Sequence, residues 1–297
     1  MVKFVLKAGD FKSFLETVCC EGTLQFNTTV KAPLFSAFFI DADKDKQKLS
    51  VLTIDTFFIQ IKQDTSIKAK VLEAGVIEVT NYKRFKAVFE GLDLNKTIKV
   101  TSDDDAIYIE SEEGDWYKLR IIGDEKLDEV YEKKGKLFEW REIHDEIEVD
   151  EKRKVWRITL DGKSALYPMK IKTTKEQLKK FVGDTMKLTK ESSTVIISEK
   201  GQIDIHSGAP NASSSSKHPL QYTNVGKELI NFSVKFAGLQ AIVSNLLDDI
   251  YLSFRKTSQD TIVLRIESFD NKIHQIISIG SEDKDGVLWN EQEEEIE

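Results

Sequence analysis

The sequence predicts an α+β protein of two similar domains, each containing two β-α-β units. Three observations favour this class. The chain has 297 residues, which is more than one typical core needs and enough for two domains of about 100 to 150 residues. Only four prolines and many alternating runs of Val, Ile, Phe, Thr and Lys indicate long strands. The order strand, short helix, strand then recurs along the chain, beginning near residues 3, 76, 169 and 230.

The first unit opens the chain with the strand pattern KFVLK and a helix over residues 10–18. Asp10 is a candidate N-cap, and Phe14, Leu15 and Val18 fall on one helical face. This spacing predicts that one side of the helix packs against a sheet and the other faces solvent.

The second unit follows the same order. The strand VIEVT (76–80) leads through Asn81, a candidate N-cap, into a helix over residues 82–92. Tyr82, Phe85 and Phe89 define its buried face, while its cations fall on the opposite side. Three further strand patterns complete the domain: TIKVT (97–101), AIYIES (106–111) and WYKLRII (116–122).

The third unit starts at Met169, with Thr173 or Thr174 as the cap of a helix that runs to about Lys187. A hairpin follows in TVIISEKGQIDIHS (194–207). The fourth unit has a helix over 235–246, whose Leu239, Ile242, Val243 and Leu246 follow the helical period. Its closing strand patterns are IYLSF (250–254) and TIVLRIE (261–267).

These patterns divide the chain into four predicted segments. The domains are 1–122 and 169–285; an interdomain connector covers 123–168 and an acidic tail covers 286–297. The connector is rich in Glu and Lys with weak periodicity, except that VWRITL (155–160) resumes a strand pattern.

Targeting signals and cysteine usage predict a protein of the cytoplasm or nucleus. The N-terminus MVKFVLKAGD lacks the apolar core of a signal peptide, and no window approaches 18 uninterrupted apolar residues. We therefore expect no association with a membrane. The two cysteines, Cys19 and Cys20, are adjacent, which suits neither an ordinary disulfide nor a zinc site.

An enzymatic site, a metal and a cofactor are not expected. His144, His206, His218 and His274 are dispersed, without an HxxxH pair or pairing with cysteine. Neither a GxxxxGK[ST] motif nor GxGxxG after a strand occurs, so the sequence gives no support for nucleotide hydrolysis. The acidic cluster at 103–105 falls at a turn, where Asp commonly caps the chain.

Charge is segregated between the predicted helices and the rest of the chain. The helices 10–18, 81–92, 173–187 and 235–246 contain nine Lys or Arg against five Asp or Glu, a net of +4. The totals of 43 basic and 51 acidic residues leave 34 and 46 elsewhere, a net of −12. A solvated lysine-rich helix face is common by itself, but its recurrence in several helices favours a positive surface for phosphate backbones.

At this level the sequence resembles the DNA sliding clamps of the proliferating-cell-nuclear-antigen type, found in eukaryotes, archaea and some viruses. The resemblance is carried by MKIKTTKEQLKKFVGDTMKLTKESSTVIISEKGQIDIHSG (169–208) and FSVKFAGLQAIVSNLLDDIYLSFRKTSQDTIVLRIESFDNKIHQIISI (232–279), and it covers roughly residues 1–122 and 165–280. It implies a ring of three two-domain subunits with the helices lining a central hole and the sheets outside. It also implies a non-enzymatic processivity factor that would encircle duplex DNA without reading its sequence.

The resemblance also implies site residues and partners. Residues facing DNA would be Lys12, Lys83, Arg84, Lys86, Lys175, Lys179, Lys180, Lys187 and Lys235. Subunits would pair through the edge strands 116–122 and 202–207, with Trp116, Tyr117, Leu119, Ile121, Ile203 and Ile205 at the interface. A DNA polymerase and other replication and repair proteins would dock short peptides in a pocket that contains Ile54, Phe57, Leu127, Ile277 and Ile279. A separate clamp loader would open the ring.

Two departures from the family pattern bear on the partners. The connector is longer than the family's, and the end IISIGSEDKDGVLWNEQ (276–292) lacks the usual Ala-Pro near the last strand. The alternative is therefore a clamp-fold scaffold, such as a checkpoint-like subunit of a heteromeric ring or a transcription coactivator. The expected location is the nucleoid region of a prokaryote or virus-infected cell, or the nucleus of a eukaryote.

Overall fold

The computed structural model divides into two compact units. Unit 1 comprises Met1–Gly135, Asn245–Leu247 and Phe269–Ile276, and unit 2 comprises Lys136–Ser244, Asp248–Ser268 and Ile277–Glu297. The structure describes residues 1–19, 35, 37–54, 61–79, 82–121, 134–188, 193–198, 202–207, 215–225, 231–234, 239, 242–257 and 262–280. The predicted domain limits at 122, 168 and 285 stay predictions.

Unit 1 is built mainly from antiparallel strands. Its strands are β1 (Val2–Lys7), β2 (Phe38–Asp43), β3 (Lys48–Ile54), β4 (Ile61–Lys68), β5 (Lys70–Glu73), β6 (Gly75–Val79), β7 (Thr97–Ser102), β8 (Ala106–Ser111) and β9 (Trp116–Arg120). One sheet has the order β5-β1-β7-β8-β9, and in a second sheet four strands follow one another as β4-β3-β2-β6. β7, β8 and β9 fall where the sequence predicts strands.

Two helices, α1 (Ala8–Val18) and α2 (Tyr82–Glu90), pack on the core of unit 1. The buried cluster includes Phe4 of β1, Phe11 of α1 and Phe89 of α2, each less than 4% exposed. Phe11 meets both other rings edge to face, with centroids 5.7 Å apart in each case. Edge-to-face aromatic contacts of this kind add to the stabilisation from buried area.

The start of α1 differs from the prediction. The helix begins at Ala8, and its N-cap is Lys7, which makes no capping hydrogen bond through its side chain. The Ala8 and Gly9 amides instead donate to the carbonyls of Lys96 and Leu94, at 2.9 and 2.8 Å. Tertiary partners therefore satisfy these first amides, and Asp10 lies inside the first turn without acting as the cap.

Unit 2 contains three groups of strands. Its strands are β10 (Ile147–Asp150), β11 (Val155–Leu160), β12 (Lys163–Leu166), β13 (Met169–Thr174), β14 (Ser193–Ser198), β15 (Gln202–Ser207), β16 (Ser215–Pro219), β17 (Gln221–Asn224), β18 (Asn231–Val234), β19 (Asp249–Lys256) and β20 (Ile262–Phe269). The last strand, β21 (Ile273–Ile279), begins in unit 1 and ends in unit 2. The strand orders are β10-β11-β12, β16-β15-β14-β18 and β17-β13-β19-β20-β21. Its helices are α3 (Lys134–Asp145) and α4 (Lys175–Leu188).

The second half of the predicted connector is folded. The strand pattern at 155–160 is β11, as predicted. The helix α3 and the strands β10 and β12 were not predicted, because Glu and Lys mask the periodicity of this segment. Leu137, Trp140 and Ile143 of α3 are fully buried. Trp156 and Ile158 of β11 form a hydrophobic cluster with Tyr167. This segment therefore has a small hydrophobic core.

Trp156 links β11 to the neighbouring strands of unit 2 through cations. The Arg265 guanidinium carbon lies 4.1 Å from the centroid of the indole ring, and Lys170 Nζ lies 4.7 Å from it. Lys170 Nζ is also 4.5 Å from the Tyr251 ring, and burial lowers the pKa of this lysine. Cation–π contacts strengthen when they are removed from water. Trp156 is only 3% exposed, so its contacts with these two cations are largely shielded from water.

None of the helices in the described part of the chain is both long and apolar enough to span a membrane.

Candidate nucleic-acid interface

The helices α1 and α2 pack against each other through their buried faces. Both bury their apolar faces in the same cluster, where Phe11 of α1 packs against Phe85 and Phe89 of α2 at 6.2 and 5.7 Å. The opposite faces of the two helices must then point away from that core. On α2 this face carries Lys83, Arg84 and Lys86, all exposed.

The amphipathic pattern of α2 matches the prediction residue by residue. Tyr82, Phe85, Val88 and Phe89 are at most 7% exposed, at the i, i+3 and i+4 positions that face the core. Glu90 is the only acid in the helix, so the three cations give α2 a formal charge of +2. Of the two helices described in unit 1, α2 has the more positive formal charge.

The helix α1 carries less positive charge. Lys12 is half-buried and its Nζ lies 3.9 Å from Glu16 Oε1, one turn further along the helix. Asp10 adds a second acid in the first turn. Of the two helices in unit 1, α2 therefore carries the positive charge, while α1 taken by itself has a formal charge of −1.

In unit 2, α4 repeats the arrangement of α2. A capping box starts the helix: the Gln177 amide donates to Thr174 Oγ1 at 3.3 Å, and the Thr174 amide donates to Gln177 Oε1 at 3.2 Å. This confirms Thr174 as the cap. Leu178, Phe181 and Val182 are at most 7% exposed.

The exposed side of α4 carries the predicted cations. Lys179, Lys180 and Lys187 are exposed, and Lys187 Nζ lies 3.6 Å from Asp184 Oδ1. Lys175 is half-buried, and burial together with the neighbouring charge of Lys179 lowers its pKa, against the opposing effect of Asp248. Its four lysines exceed its two acids, so α4 has a formal charge of +2.

One of the predicted DNA-facing cations falls outside the described residues. The predicted set also does not include a cation that lies beside α1. Lys235 lies outside the described residues, as does most of its predicted helix, although Leu239, Ile242 and Val243 are buried. The missed cation is Lys272, whose Nζ lies 2.6 Å from Asp10 Oδ1. It comes from a turn 262 residues away in the chain, so a survey of helices could not find it.

The strand β9 forms one end of its sheet, as predicted for a subunit interface. Its partner is β8, with Tyr117 opposite Ile109 and Lys118 opposite Tyr108, and no second partner strand occurs among the described residues. Trp116 is 59% exposed. Tyr117, Leu119 and Ile121 are partly buried against the core of unit 1.

The direction of the β9 amides follows from its ladder with β8. The Ile121 amide donates to the Asp105 carbonyl at 2.8 Å, and the Ser111 amide donates to the Asp115 carbonyl at 2.9 Å. Hydrogen-bonded and non-hydrogen-bonded pairs alternate in an antiparallel ladder. The amides of Trp116, Lys118 and Arg120 therefore point away from β8, toward the open edge.

The prediction that residues 202–207 form an edge strand of unit 2 is wrong. β15, which contains Ile203 and Ile205, is an interior strand that pairs with β14 on one side and β16 on the other. Ile203 is 3% exposed, and the structure does not describe the side chain of Ile205. Among the described residues, the terminal strand on this side of the sheet is β16, whose Ser-rich sequence shows no strand pattern.

The edge strand β16 is tied to α4 through His218. The ring of Phe181 meets that of His218 edge to face at 5.3 Å, and Asp184 Oδ2 lies 3.9 Å from His218 Nε2. Ser216 Oγ lies 3.0 Å from the same nitrogen. Burial lowers the His218 pKa, Asp184 opposes this effect and Lys180 adds to it.

The structure describes three of the five residues predicted for a peptide pocket. Phe57 and Leu127 lie outside the described residues. Ile54 is 2% exposed and Ile277 is fully buried, as expected of core side chains, while Ile279 is half-buried. Their part in a peptide pocket stays a prediction.

Among the described residues, no group of three or more His, Cys, Asp or Glu side chains is arranged to hold a metal ion. Among the histidines whose side chains the structure describes, the least exposed is His144 at the end of α3 in unit 2. Its Nδ1 lies 3.3 Å from Arg265 Nε, and its ring centroid lies 4.4 Å from that of Trp140. It is 4% exposed, so it belongs to the core.

Comparison with known proteins identifies the architecture. No protein-family model matches the sequence, and no curated protein matches it. Among solved structures, the Proliferating Cellular Nuclear Antigen from Entamoeba histolytica matches with a TM-score of 0.59, covering 95% of this chain and 98% of that chain. The fold is the clamp fold of that protein. Since the two sequences are only 12% identical, this likeness establishes the clamp fold alone.

The clamp fold agrees with the element order predicted from the sequence. The described residues contain four helices and are otherwise mostly sheet, as expected of this α+β class. Of the nine predicted DNA-facing cations, Lys83, Arg84, Lys86, Lys179, Lys180 and Lys187 are exposed on α2 and α4.

Proposed function

We propose that this protein is a sliding clamp that encircles duplex DNA and tethers a DNA polymerase and other replication and repair proteins. The observation that carries this proposal is the recurrence of one design in two units. In α2 and in α4 the apolar face is buried and the opposite face carries exposed cations, on a chain whose net charge is −8. Both helices belong to a chain with the clamp fold.

The charge distribution suits a surface that slides. Lysine and arginine side chains on a solvated helix attract phosphates without reading base edges, so binding is independent of sequence. Processivity then comes from topology, because a closed ring keeps the tethered polymerase at a high effective concentration near the primer end.

Ring closure would use β9 of one subunit and β16 of the next. Each is the terminal strand of its sheet among the described residues, and β9 points the amides of Trp116, Lys118 and Arg120 outward. Pairing two such edges extends the sheets and removes the unpaired backbone groups. Three subunits of one kind are the proposed assembly, opened by a separate loader.

The test of the DNA-facing surface is a charge reversal. Replacing Lys83, Arg84, Lys179 and Lys180 by Glu should abolish the salt-dependent binding of a linear duplex, measured by fluorescence anisotropy. A matched control replaces Lys44, Lys46, Lys152 and Lys163, which are exposed outside α1, α2 and α4, by Glu. Both variants change the net charge by the same amount, so the control should bind far better. Equal loss in both would show a general charge effect and count against the proposed face.

The test of the assembly is mass in solution. Light scattering should give about three times the subunit mass of 33.9 kDa, and negative-stain images should show rings. The reversed variant should keep this mass, because its substitutions lie on helices and leave β9 and β16 intact. A strict monomer at micromolar concentration would favour the alternative, a clamp-fold subunit of a heteromeric ring whose main task is partner assembly.

A further inference from the structure

The helix α1 poses an electrostatic problem for a DNA-facing surface. It carries one cation, Lys12, against Asp10 and Glu16. Lys12 Nζ lies 3.9 Å from Glu16 Oε1, so its charge is shared with that carboxylate. An α1 with these groups alone would present net negative charge beside the cations of α2, with which it shares the core around Phe11. Phosphates approaching this side of unit 1 would be repelled.

A lysine from another part of unit 1 compensates one of these two negative charges. Lys272 Nζ lies 2.6 Å from Asp10 Oδ1 and forms an ion pair with it. The Lys272 side chain is 62% exposed and that of Asp10 is 30% exposed. The ammonium group is thus the more accessible member of the pair, and it covers the carboxylate while remaining open to solvent.

The backbone of Lys272 is held by its own turn. Asp270 Oδ1 accepts hydrogen bonds from the amides of Lys272 and Ile273, each at 2.7 Å, and the Asp270 amide donates to the Ile273 carbonyl at 3.0 Å. Such a turn fixes the direction in which residue 272 leaves the backbone. On the other side, Asp10 is fixed within the first turn of α1, so the pair joins two ordered segments.

We propose that Lys272 is a positioning residue of the DNA-facing surface: it neutralises Asp10, so that α1 does not repel the phosphate backbone. This inference rests on the proposed clamp function. It adds to that function a cation that lies outside the helices, and it explains how a helix with a formal charge of −1 can border a DNA channel. An exposed ion pair contributes little to stability, so its main effect is on the potential at the surface.

The test is a double-variant cycle of Lys272→Ala and Asp10→Asn, with binding of a short linear duplex measured by fluorescence anisotropy. Lys272→Ala should weaken binding about threefold to tenfold at low salt, because it uncovers the Asp10 carboxylate. Asp10→Asn in the same chain should restore affinity close to that of the unmodified protein, since there is no carboxylate left to cover. Lys272→Arg should behave like the unmodified protein.

Three readouts separate the possible failures. The midpoint of thermal unfolding should be the same in all variants, which separates an electrostatic effect from misfolding. If Lys272→Ala binds like the unmodified protein, or if Asp10→Asn does not restore affinity in the double variant, the masking role is wrong. If the reversal of Lys83, Arg84, Lys179 and Lys180 also leaves binding unchanged, the proposed DNA-facing surface itself fails, and the inference fails with it.

Discussion

The Tyr117 hydroxyl of the edge strand β9 donates a hydrogen bond to the Gly91 carbonyl, 3.1 Å away, just beyond the end of α2. This contact joins the strand proposed for subunit pairing to the helix with the most exposed cations in unit 1. A Cβ atom at position 91 would lie 2.7 Å from the same hydroxyl. An alanine at position 91 would therefore displace the end of the Tyr117 side chain. The hydrogen bond couples the placement of α2 to that of β9.

Gly91→Ala should lower the free energy of unfolding by about 0.5 to 1.5 kcal/mol, because the added methyl group displaces the Tyr117 hydroxyl and breaks its hydrogen bond to the Gly91 carbonyl. Thermal or urea unfolding would measure the loss. The matched partner is Tyr117→Phe, which removes the hydroxyl that the methyl group would meet. In the double variant the cost of the alanine should shrink; a cost that stays the same would show that the strain comes from the backbone.

Lys118→Pro should block assembly while the subunit stays folded. The Lys118 amide points away from β8, so proline removes a donor from the open edge without breaking the β8–β9 ladder. Light scattering at several protein concentrations would then report a mass near that of one subunit. Lys118→Ala is the control: it loses the same side chain, 5.3 Å from the Tyr108 ring, but keeps the amide and should assemble normally. Assembly of the proline variant would contradict pairing through β9.

Asp150→Asn should reduce stability at neutral pH but not in strong acid. The Arg153 amide and the Arg157 and Arg153 guanidinium groups hold the Asp150 pKa at about 2, below its ordinary value of 3.8. The carboxylate is only 7% exposed, and Arg153 Nη1 and Arg157 Nη2 each donate to Asp150 Oδ2 at 2.9 Å. This network stabilises the turn between β10 and β11.

The sign of its pH dependence follows from the lowered pKa. The stabilisation, about 2 kcal/mol, is present above the unfolded pKa and is lost as the pH falls from about 4 toward 2. Chemical unfolding of the two proteins at pH 7 and at pH 2.5 measures it. The difference between them should be largest at pH 7 and should shrink in acid; a difference independent of pH would show that ionisation of Asp150 is not the cause.

Trp156→Ala should destabilise unit 2 by about 3 to 5 kcal/mol, since it removes a buried indole ring that contacts both Arg265 and Lys170. Hydrogen exchange should show the loss first in β10, β11 and β12. Trp116→Ala, at a position with 59% exposure, is the control and should change the stability of the isolated subunit little. Equal effects of the two substitutions would contradict the anchoring role of Trp156.

Elements with a strong hydrophobic period were predicted well from the sequence. In α2 and α4 every third or fourth residue is apolar, so the buried face, the exposed cations and, in α4, the cap at Thr174 follow from local rules. β8 coincides with the predicted strand from Ala106 to Ser111. Local spacing suffices here because each element buries one side only.

Other features depended on partners far along the chain. β16 has the composition of a loop, and only its pairing with β15 makes it a strand and the edge of its sheet. The start of α1 is set by the carbonyls of Leu94 and Lys96, not by Asp10. α3 is a helix because Leu137, Trp140 and Ile143 find a core, which its Glu- and Lys-rich sequence does not reveal.

The sequence by itself determined the α+β class, the recurring β-α-β units and the separation of basic helices from an acidic remainder, because periodicity and charge are local properties of the chain. Only the tertiary structure decided which strands lie at sheet edges, where Trp156 is anchored and that Lys272 covers Asp10. Pairing and ion contacts join residues that are distant in the chain, and their geometry exists only after the strands and helices have packed.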